Sequence, residues 1–168
     1  ELEEVSENIQ KKYEEEVEKV KVKSKEIMNN KSDELKRIEE LTGLTFKELV
    51  FDNEICDWKR KTSTFDLHIL NKEKLMFVVE DEDGNIIGGY INSLIDKYYC
   101  TNENEWKKEY ICDVHSYTFE IKKEGNKMKA FKYPIDYEER EEAFKLYGRD
   151  SRTLFSFGRE NDFCMMKN

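Results

Sequence analysis

The sequence has no apolar run long enough to cross a membrane and no surplus of positive charge. A membrane-spanning helix needs about 20 consecutive apolar residues, and the N-terminal residues are acidic, unlike a secretory signal. The 168 residues carry 38 acidic and 29 basic side chains, a net charge of −9. Because binding to nucleic acids and to anionic membrane surfaces depends on basic clusters, we expect neither activity. We expect a soluble, cytoplasmic protein without membrane insertion.

Histidine and cysteine are too few and too scattered to indicate a catalytic or metal site. The chain holds His68, His115, Cys56, Cys100, Cys112 and Cys164, with no CxxC pair. Reduced thiols explain this spacing best. Cys100, Cys112 and His115 could ligate zinc, but they lack a compact fourth ligand. We therefore predict no metal, no cofactor and no catalytic residue.

The surroundings of the thiols do not indicate an activated nucleophile either. Cys56 has Lys59 and Arg60 nearby, but Glu54 and Asp57 are equally near and should raise its pKa. Cys164 stands in an apolar run, so we expect it to be buried and inert. A redox role of these cysteines is therefore not predicted.

Residues 1–42 contain neither Pro nor Gly and are rich in Glu and Lys, which are good helix formers. Apolar residues recur every three or four positions from Leu2 to Leu41, which predicts an amphipathic helix. Glu16, Ser24 and Lys31 interrupt this apolar stripe. Capping at Ser32 or Asp33 would divide the segment, so one long helix and a helical hairpin both stay open. Because so thin a stripe is marginal alone, we predict a charged coiled-coil segment that self-associates as a homo-oligomer.

From residue 43 the chain changes to turns and short strands, after a glycine, Gly43, that fits a helix C-cap. A short helix should begin at Thr45, where the spacing fits a capping box. Hairpin signals at Asp83-Gly84 and Glu124–Asn126 separate strands, and residues 97–112 should form a polar loop with Trp106. The strands are predicted at Phe65–Leu70, Leu75–Glu80, Ile86–Ile95, Tyr117–Ile121, Met128–Phe131, Leu154–Phe157 and Phe163–Met166, with a charged helix over 136–147. This pattern predicts an α+β protein with an antiparallel β-sandwich.

The stretch LMFVVEDEDGNIIGGY, Leu75–Tyr90, resembles the central signature of the TLDc domain family. That signature is an apolar strand, an acidic residue, a glycine-bearing turn and then Gly-Gly/Ala-Tyr; Ile87 stands here where the family usually has Phe. Weaker matches follow in the family's order at Ser63–Phe65, His115–Phe119, Leu154–Gly158 and Asn161–Phe163. The resemblance covers roughly residues 53–168.

The resemblance implies a β-sandwich with small helices, no firmly attached enzymatic activity, and an association with oxidative-stress resistance and with binding of the vacuolar proton-pumping ATPase. The family's last two strands are not found, and the chain begins at Glu1, so we expect a fragment whose domain is truncated at its C-terminus. The expected organisation is a helical segment, 1–42, and a TLDc-like β domain, 43–168, similar to protist members. The family-motif positions, expected to be structural, are Asp81, Gly84, Gly88, Gly89, Tyr90, Phe155 and Gly158.

Three of these positions, Asp81, Gly88 and Gly89, also allow interpretations from their local pattern alone. Asp81, Asp83 and Asn85 mimic the start of a Ca²⁺ loop, but the chain lacks the glycine and the glutamate that the loop would then need. Gly88 and Gly89 predict a bulge or a close backbone approach in a core. We thus predict a non-enzymatic protein-interaction module. The alternatives are a structural coiled-coil assembly protein and a hydrolase-like enzyme in which His68 or His115 pairs with a cysteine or carboxylate.

Overall fold

A computed structural model describes residues 2–97, 110–125, 127–159 and 162–167. It confirms the α+β class, because a long N-terminal helix precedes two antiparallel sheets. Cys100, Trp106 and Asn161 lie outside the described residues. Two compact units can be distinguished: a helical unit that runs to Ile69, and a β unit, Leu70–Lys167. Residues 43–69, which the sequence assigned to the β domain, group with the helices.

The helical unit contains α1 (Leu2–Asn29), α2 (Asp33–Thr42) and α3 (Phe65–Ile69). Residues 1–42 therefore form two helices rather than one. Ser32 caps α2, since its Oγ accepts a hydrogen bond from the Leu35 amide at 3.1 Å. Gly43 ends α2 in the left-handed conformation, and its amide donates to the Glu39 carbonyl at 2.9 Å. Both predicted caps are confirmed.

Two predictions for the segment between α2 and the sheets were wrong. No helix begins at Thr45, because the nearby amides bond to distant side chains: the Phe46 amide donates to Glu39 Oε1 at 2.7 Å, and the Leu49 amide donates to Ser24 Oγ at 2.8 Å. The predicted strand at Phe65–Leu70 is instead the helix α3, whose first turn bonds to the Thr64 carbonyl. In both places, hydrogen bonds and burial that involve distant residues determine the structure, rather than the preference of the local sequence.

The larger sheet of the β unit has four antiparallel strands in the order β1-β2-β3-β4. They are β1 (Leu75–Glu80), β2 (Ile86–Ile91), β3 (Tyr117–Glu124) and β4 (Lys127–Pro134). Both predicted hairpins are confirmed. β2 ends four residues earlier than predicted, because Asp113 Oδ2 accepts the amides of Asn92 and Ser93 and the strand ladder cannot continue through them.

The smaller sheet has the order β5-β6-β7. Its strands are β5 (Phe144–Leu146), β6 (Thr153–Phe157) and β7 (Phe163–Met166). The helix predicted over 136–147 is only a 3-10 helix at Tyr137–Glu142, and a single residue, Ala143, separates it from β5. Phe77 of β1 packs against three rings of the smaller sheet, with centroids 4.5–5.6 Å away. This aromatic cluster forms the core between the two sheets.

None of the helices in the described part of the chain is long and apolar enough to span a bilayer.

Candidate functional site

The two adjacent glycines of the motif lie on β2, where aromatic rings pack closely against the backbone. A Cβ on Gly88 would overlap the ring of Phe119 and come within 2.5 Å of the Phe77 carbonyl oxygen. A Cβ on Gly89 would lie 2.6 Å from a ring carbon of Phe157. Both glycines are therefore needed, because no side chain fits at either position.

The other motif positions also have structural roles. Asp81 accepts the amides of Asp83 and Asn85, and these bonds close the β1–β2 turn around Gly84, whose φ is +78°. The Asn85 side chain and amide hold the pKa of Asp81 below its ordinary value.

The remaining family-motif positions are Tyr90, Phe155 and Gly158. The ring of Tyr90 stacks on a neighbouring tyrosine at 5.2 Å, and Phe155 belongs to the aromatic core. Gly158 follows β6 with a φ of +76°, and a side chain there would overlap the Asp162 carboxylate. The contacts of these seven positions thus place them in a turn, in close packing or in the aromatic core.

The cysteines and histidines divide into exposed and buried groups. Cys112, His115 and Cys164 are exposed. The prediction that Cys164 is buried was wrong, because it points outward from β7, which is an edge strand of the smaller sheet. Cys56 and His68, by contrast, are both buried, and His68 lies on α3 rather than on a strand.

His68 and Cys56 meet a carboxylate of α1 that the sequence showed only as a break in the apolar stripe. We call Glu16, Cys56, Thr64 and His68 the Glu16 cluster. The exposed fractions of Glu16, Cys56 and His68 are only 3%, 4% and 2%. A ring nitrogen of His68, the Cys56 sulfur and a Glu16 carboxylate oxygen all lie within 4.8 Å of one another. No other group of three such side chains is arranged to hold an ion among the residues that the structure describes.

Each oxygen of Glu16 has a hydrogen-bond partner. Oε1 accepts the Asp57 amide at 2.9 Å. Oε2 accepts the Thr64 hydroxyl at 2.5 Å and lies 3.2 Å from Nε2 of His68. The rings of Tyr13 and Phe51 meet the imidazole edge-on, with centroids 4.8 and 5.6 Å from that of His68. The carboxylate and the imidazole are therefore held in fixed orientations.

The electrostatic environment of the cluster disfavours a reactive thiolate. Burial raises the pKa of Cys56 to about 11, and the negative charges of Glu16 and Asp52 contribute to that rise. Burial also raises the pKa of Asp57, but its bonds with Lys12, the Lys59 amide and Thr62 outweigh that effect and hold it below its ordinary value. A cysteine nucleophile needs an accessible thiolate, and Cys56 in this state is neither accessible nor ionised near neutral pH.

A second candidate site is the exposed part of one face of the larger sheet. Ile87, Glu120 and Phe131 lie directly opposite one another across β2, β3 and β4, so their side chains share a face. Tyr133 lies two residues beyond Phe131 on that same face, and its hydroxyl donates to Glu120 Oε1 at 2.6 Å. Ile87, Phe131 and Tyr133 are all exposed. We call these four residues the β4 face.

A groove of about 370 Å³ adjoins the β4 face, and Tyr133 lies on both. Phe157 and Gly158 contribute to its wall, and three carboxylates, of Asp136, Glu139 and Asp162, also line it. The groove thus combines an apolar wall with negative charge.

The chain matches no protein-family model, no curated protein and no solved structure. Its function is therefore inferred from its own residues. The sequence predicted neither the Glu16 cluster nor the β4 face as a site, although Glu16 was visible as a polar residue in an apolar stripe.

Proposed function

We propose that this chain is a non-enzymatic protein-interaction module of the TLDc type, and that the β4 face contacts its partner. The observation that carries the proposal is the exposed set of Ile87, Phe131 and Tyr133 beside an acidic groove. Exposed aromatic and aliphatic side chains grouped on one face are typical of protein-binding surfaces rather than of catalytic sites.

Two polar contacts join side chains on and beside the β4 face. The bond from Tyr133 to Glu120 and the ion pair of Lys122 with Glu120, at 3.1 Å, hold the polar groups around the exposed rings. Fixing a long side chain on binding costs about 0.5–1.5 kcal/mol. Because these side chains are held before binding, part of that cost is already met in the unbound protein.

The charge of the groove indicates what kind of partner would fit. Asp136, Glu139 and Asp162 would attract Lys or Arg, and the whole chain carries a net charge of −9. The resemblance described for Leu75–Tyr90 favours the vacuolar proton-pumping ATPase as the partner and oxidative-stress resistance as the cellular outcome. We therefore expect a basic, partly apolar surface of that pump to bind.

The test is binding of the full chain to the purified vacuolar proton-ATPase. Ile87 is 44% exposed on the β4 face, whereas Val78 is 47% exposed on the opposite face of the neighbouring strand. Ile87→Ser should weaken binding about tenfold, a loss of roughly 1.4 kcal/mol, and Val78→Ser should leave it unchanged. Wild-type chain that fails to bind, or equal losses in both variants, would refute the proposal.

The alternatives have less support in the contacts of the helical unit. A structural coiled coil needs a continuous exposed apolar stripe, but Ile9 and Val20 of the stripe are already buried. An enzyme that uses His68 with a cysteine or carboxylate would need access for its substrate, and the Glu16 cluster is closed to solvent.

A further inference from the structure

We propose that Glu16, Cys56 and His68 bind one divalent transition-metal ion, and that Zn²⁺ is the ion their donor atoms fit. The three side chains come from α1, from the segment before α3 and from α3 itself. Their donor atoms lie within 4.8 Å of one another, and all three residues are buried. The proposed site departs from the sequence-based prediction of no metal, in which Cys100, Cys112 and His115 were set aside for lack of a fourth ligand.

The donor atoms decide the class of ion. Zinc accepts sulfur, imidazole nitrogen and carboxylate oxygen together, at about 2.0–2.3 Å in a tetrahedral arrangement. Calcium and magnesium prefer oxygen alone, and a cysteine sulfur does not suit them. The mixed set of one thiol, one imidazole and one carboxylate therefore indicates zinc or a metal with similar preferences.

The spacing of the donor atoms is close to what the ion requires. Ligand atoms around a tetrahedral zinc ion are separated by about 3.3–3.8 Å, as follows from those bond lengths. His68 Nε2 and Glu16 Oε2 are 3.2 Å apart already. Since the largest separation in the set is no more than 4.8 Å, a side-chain adjustment of roughly one ångström would close the site.

The surroundings of the cluster resemble the outer shell of a metal site. Bonds from the Thr64 hydroxyl and the Asp57 amide orient the Glu16 carboxylate. The edges of Tyr13 and Phe51 fix the plane of the His68 ring. Such outer contacts hold ligands in place, and an apolar shell limits the entry of solvent.

Binding of the ion changes the bonding in a defined way. The Cys56 thiol loses its proton to solvent and its sulfur binds the metal as a thiolate. The proton that His68 Nε2 shares with Glu16 Oε2 must also leave that nitrogen, so the neutral ring keeps its one remaining proton on Nδ1. Nε2 and the Glu16 carboxylate would then each bind the metal. Three protein ligands leave one tetrahedral position, which a water molecule would occupy.

Cobalt(II) is the probe for the test, because it takes the same ligands and a thiolate bound to it absorbs in the near ultraviolet. The full chain is freed of metal with a chelator and titrated with Co²⁺. We expect the thiolate-to-cobalt band to saturate at one equivalent and to disappear when Zn²⁺ is added. Cys56→Ser should abolish the band, whereas the exposed-site control Cys112→Ser should retain it.

Stability and conservative variants provide readouts that do not depend on the thiolate spectrum. Zn²⁺ at a hundredfold excess over its dissociation constant should raise the thermal midpoint of the wild-type chain by about 5–10 °C. Glu16→Gln and His68→Gln should weaken Co²⁺ binding at least tenfold, and circular dichroism would identify any variant that does not fold.

Two results would overturn the metal site. In the first, the wild-type chain shows neither the absorption band nor thermal stabilisation at millimolar metal, and the Glu16 cluster is then a hydrogen-bonded cluster only. In the second, the band survives in Cys56→Ser, and the metal then binds elsewhere. Neither result bears on the β4 face, so this inference and the proposed function can fail independently.

Discussion

Removing the Glu16 carboxylate should unfold the helical unit far more readily than removing a neighbouring carboxylate. Glu16→Ala deletes the acceptor of three hydrogen bonds, those of the Asp57 amide, the Thr64 hydroxyl and the His68 imidazole. The bonds of Thr64 and His68 are buried and that of the Asp57 amide is partly buried, so water cannot readily replace the lost oxygen atoms.

The size of the loss follows from those bonds. Each buried donor that loses its acceptor costs about 1–3 kcal/mol. The Thr64 hydroxyl can still donate to the Asp57 carbonyl oxygen, 3.3 Å away. The loss of its bond to Glu16 should therefore cost little free energy. The Asp57 amide and the His68 imidazole each lose their bond to Glu16, so we expect Glu16→Ala to cost about 2–6 kcal/mol. A domain is stable by only about 5–15 kcal/mol, so a substantial part of the free energy of unfolding would be lost.

Urea unfolding of the metal-free protein, followed by helical circular dichroism, measures this loss. Glu15→Ala is the matched control, because Glu15 is the adjacent residue of α1 but is exposed. We expect the control to unfold like the wild type and Glu16→Gln to fall between the two, since its amide oxygen still accepts a bond. If Glu16→Ala and Glu15→Ala had the same unfolding midpoint, the buried hydrogen bonds would not hold this unit together.

Three further predictions concern other parts of the chain. Gly88→Val should lower the stability of the β unit by about 1–3 kcal/mol through overpacking, whereas Ile87→Val on the exposed face should not; equal thermal midpoints would contradict this. In metal-free protein, iodoacetamide near neutral pH should modify Cys112 and spare Cys56 until denaturant is added; early alkylation of Cys56, mapped by mass spectrometry, would contradict its burial. Ile9 and Val20 are buried, so self-association through α1 would have to use its exposed face around Val22; it should appear in sedimentation at about tens of micromolar and decrease in Val22→Glu, and a monomeric wild type would exclude it.

The thiol of Cys56 also makes stability depend on alkaline pH in the metal-free protein. Its pKa is 9.0 in a model peptide and about 11 in the fold. A raised pKa means that the folded state keeps its proton longer, so this contribution to stability is complete below pH 9 and is lost as the pH rises towards 11. The full loss is about 2–3 kcal/mol. The urea midpoint of the wild type should fall more steeply over this pH range than that of Cys56→Ala. If both midpoints fell equally with pH, the raised pKa of Cys56 would be contradicted.

The features that the sequence predicted correctly depend on nearby residues. Ser32 caps α2 through the amide three residues later, and Gly43 ends the same helix through a bond within its last turn. The turn at Gly84 is closed by Asp81, only three residues before it. Interactions over such short distances in the chain are encoded in local residue patterns, so they could be predicted.

The helix α3 could not be predicted in this way, because its local pattern is ambiguous. Phe65, Leu67 and Ile69 alternate with polar residues, which favours a strand. The residues that are buried are instead Phe65, His68 and Ile69, at helical spacings of three and four. Both the alternation of a strand and the three- and four-residue spacing of a helix fit this segment. The tertiary contacts of His68 with α1 select the helix.

The Glu16 cluster was missed because its members are far apart in the chain. Glu16 and His68 are separated by 52 residues, and Glu16 and Asp57 by 41. The sequence contained one indication of the cluster, namely the polar residues that interrupt the apolar stripe of α1. Glu16 and Ser24 interrupt the stripe of α1, both are buried, and both accept hydrogen bonds from distant backbone amides. A polar residue inside an apolar stripe can thus mark a buried acceptor.

The two polar residues of α1 also explain how an imperfect stripe can specify one arrangement of the helical unit. Apolar spacings of three and four recur along α1, so a slip of one helical turn would preserve much of the apolar contact. Glu16 and Ser24 lie eight residues apart, about 12 Å along the helix axis, and they accept the amides of Asp57 and Leu49. A slip of one turn would break both bonds and leave buried amides without acceptors. The polar residues therefore fix the register of α1, and the same fixed register brings the Glu16 carboxylate to Cys56 and His68.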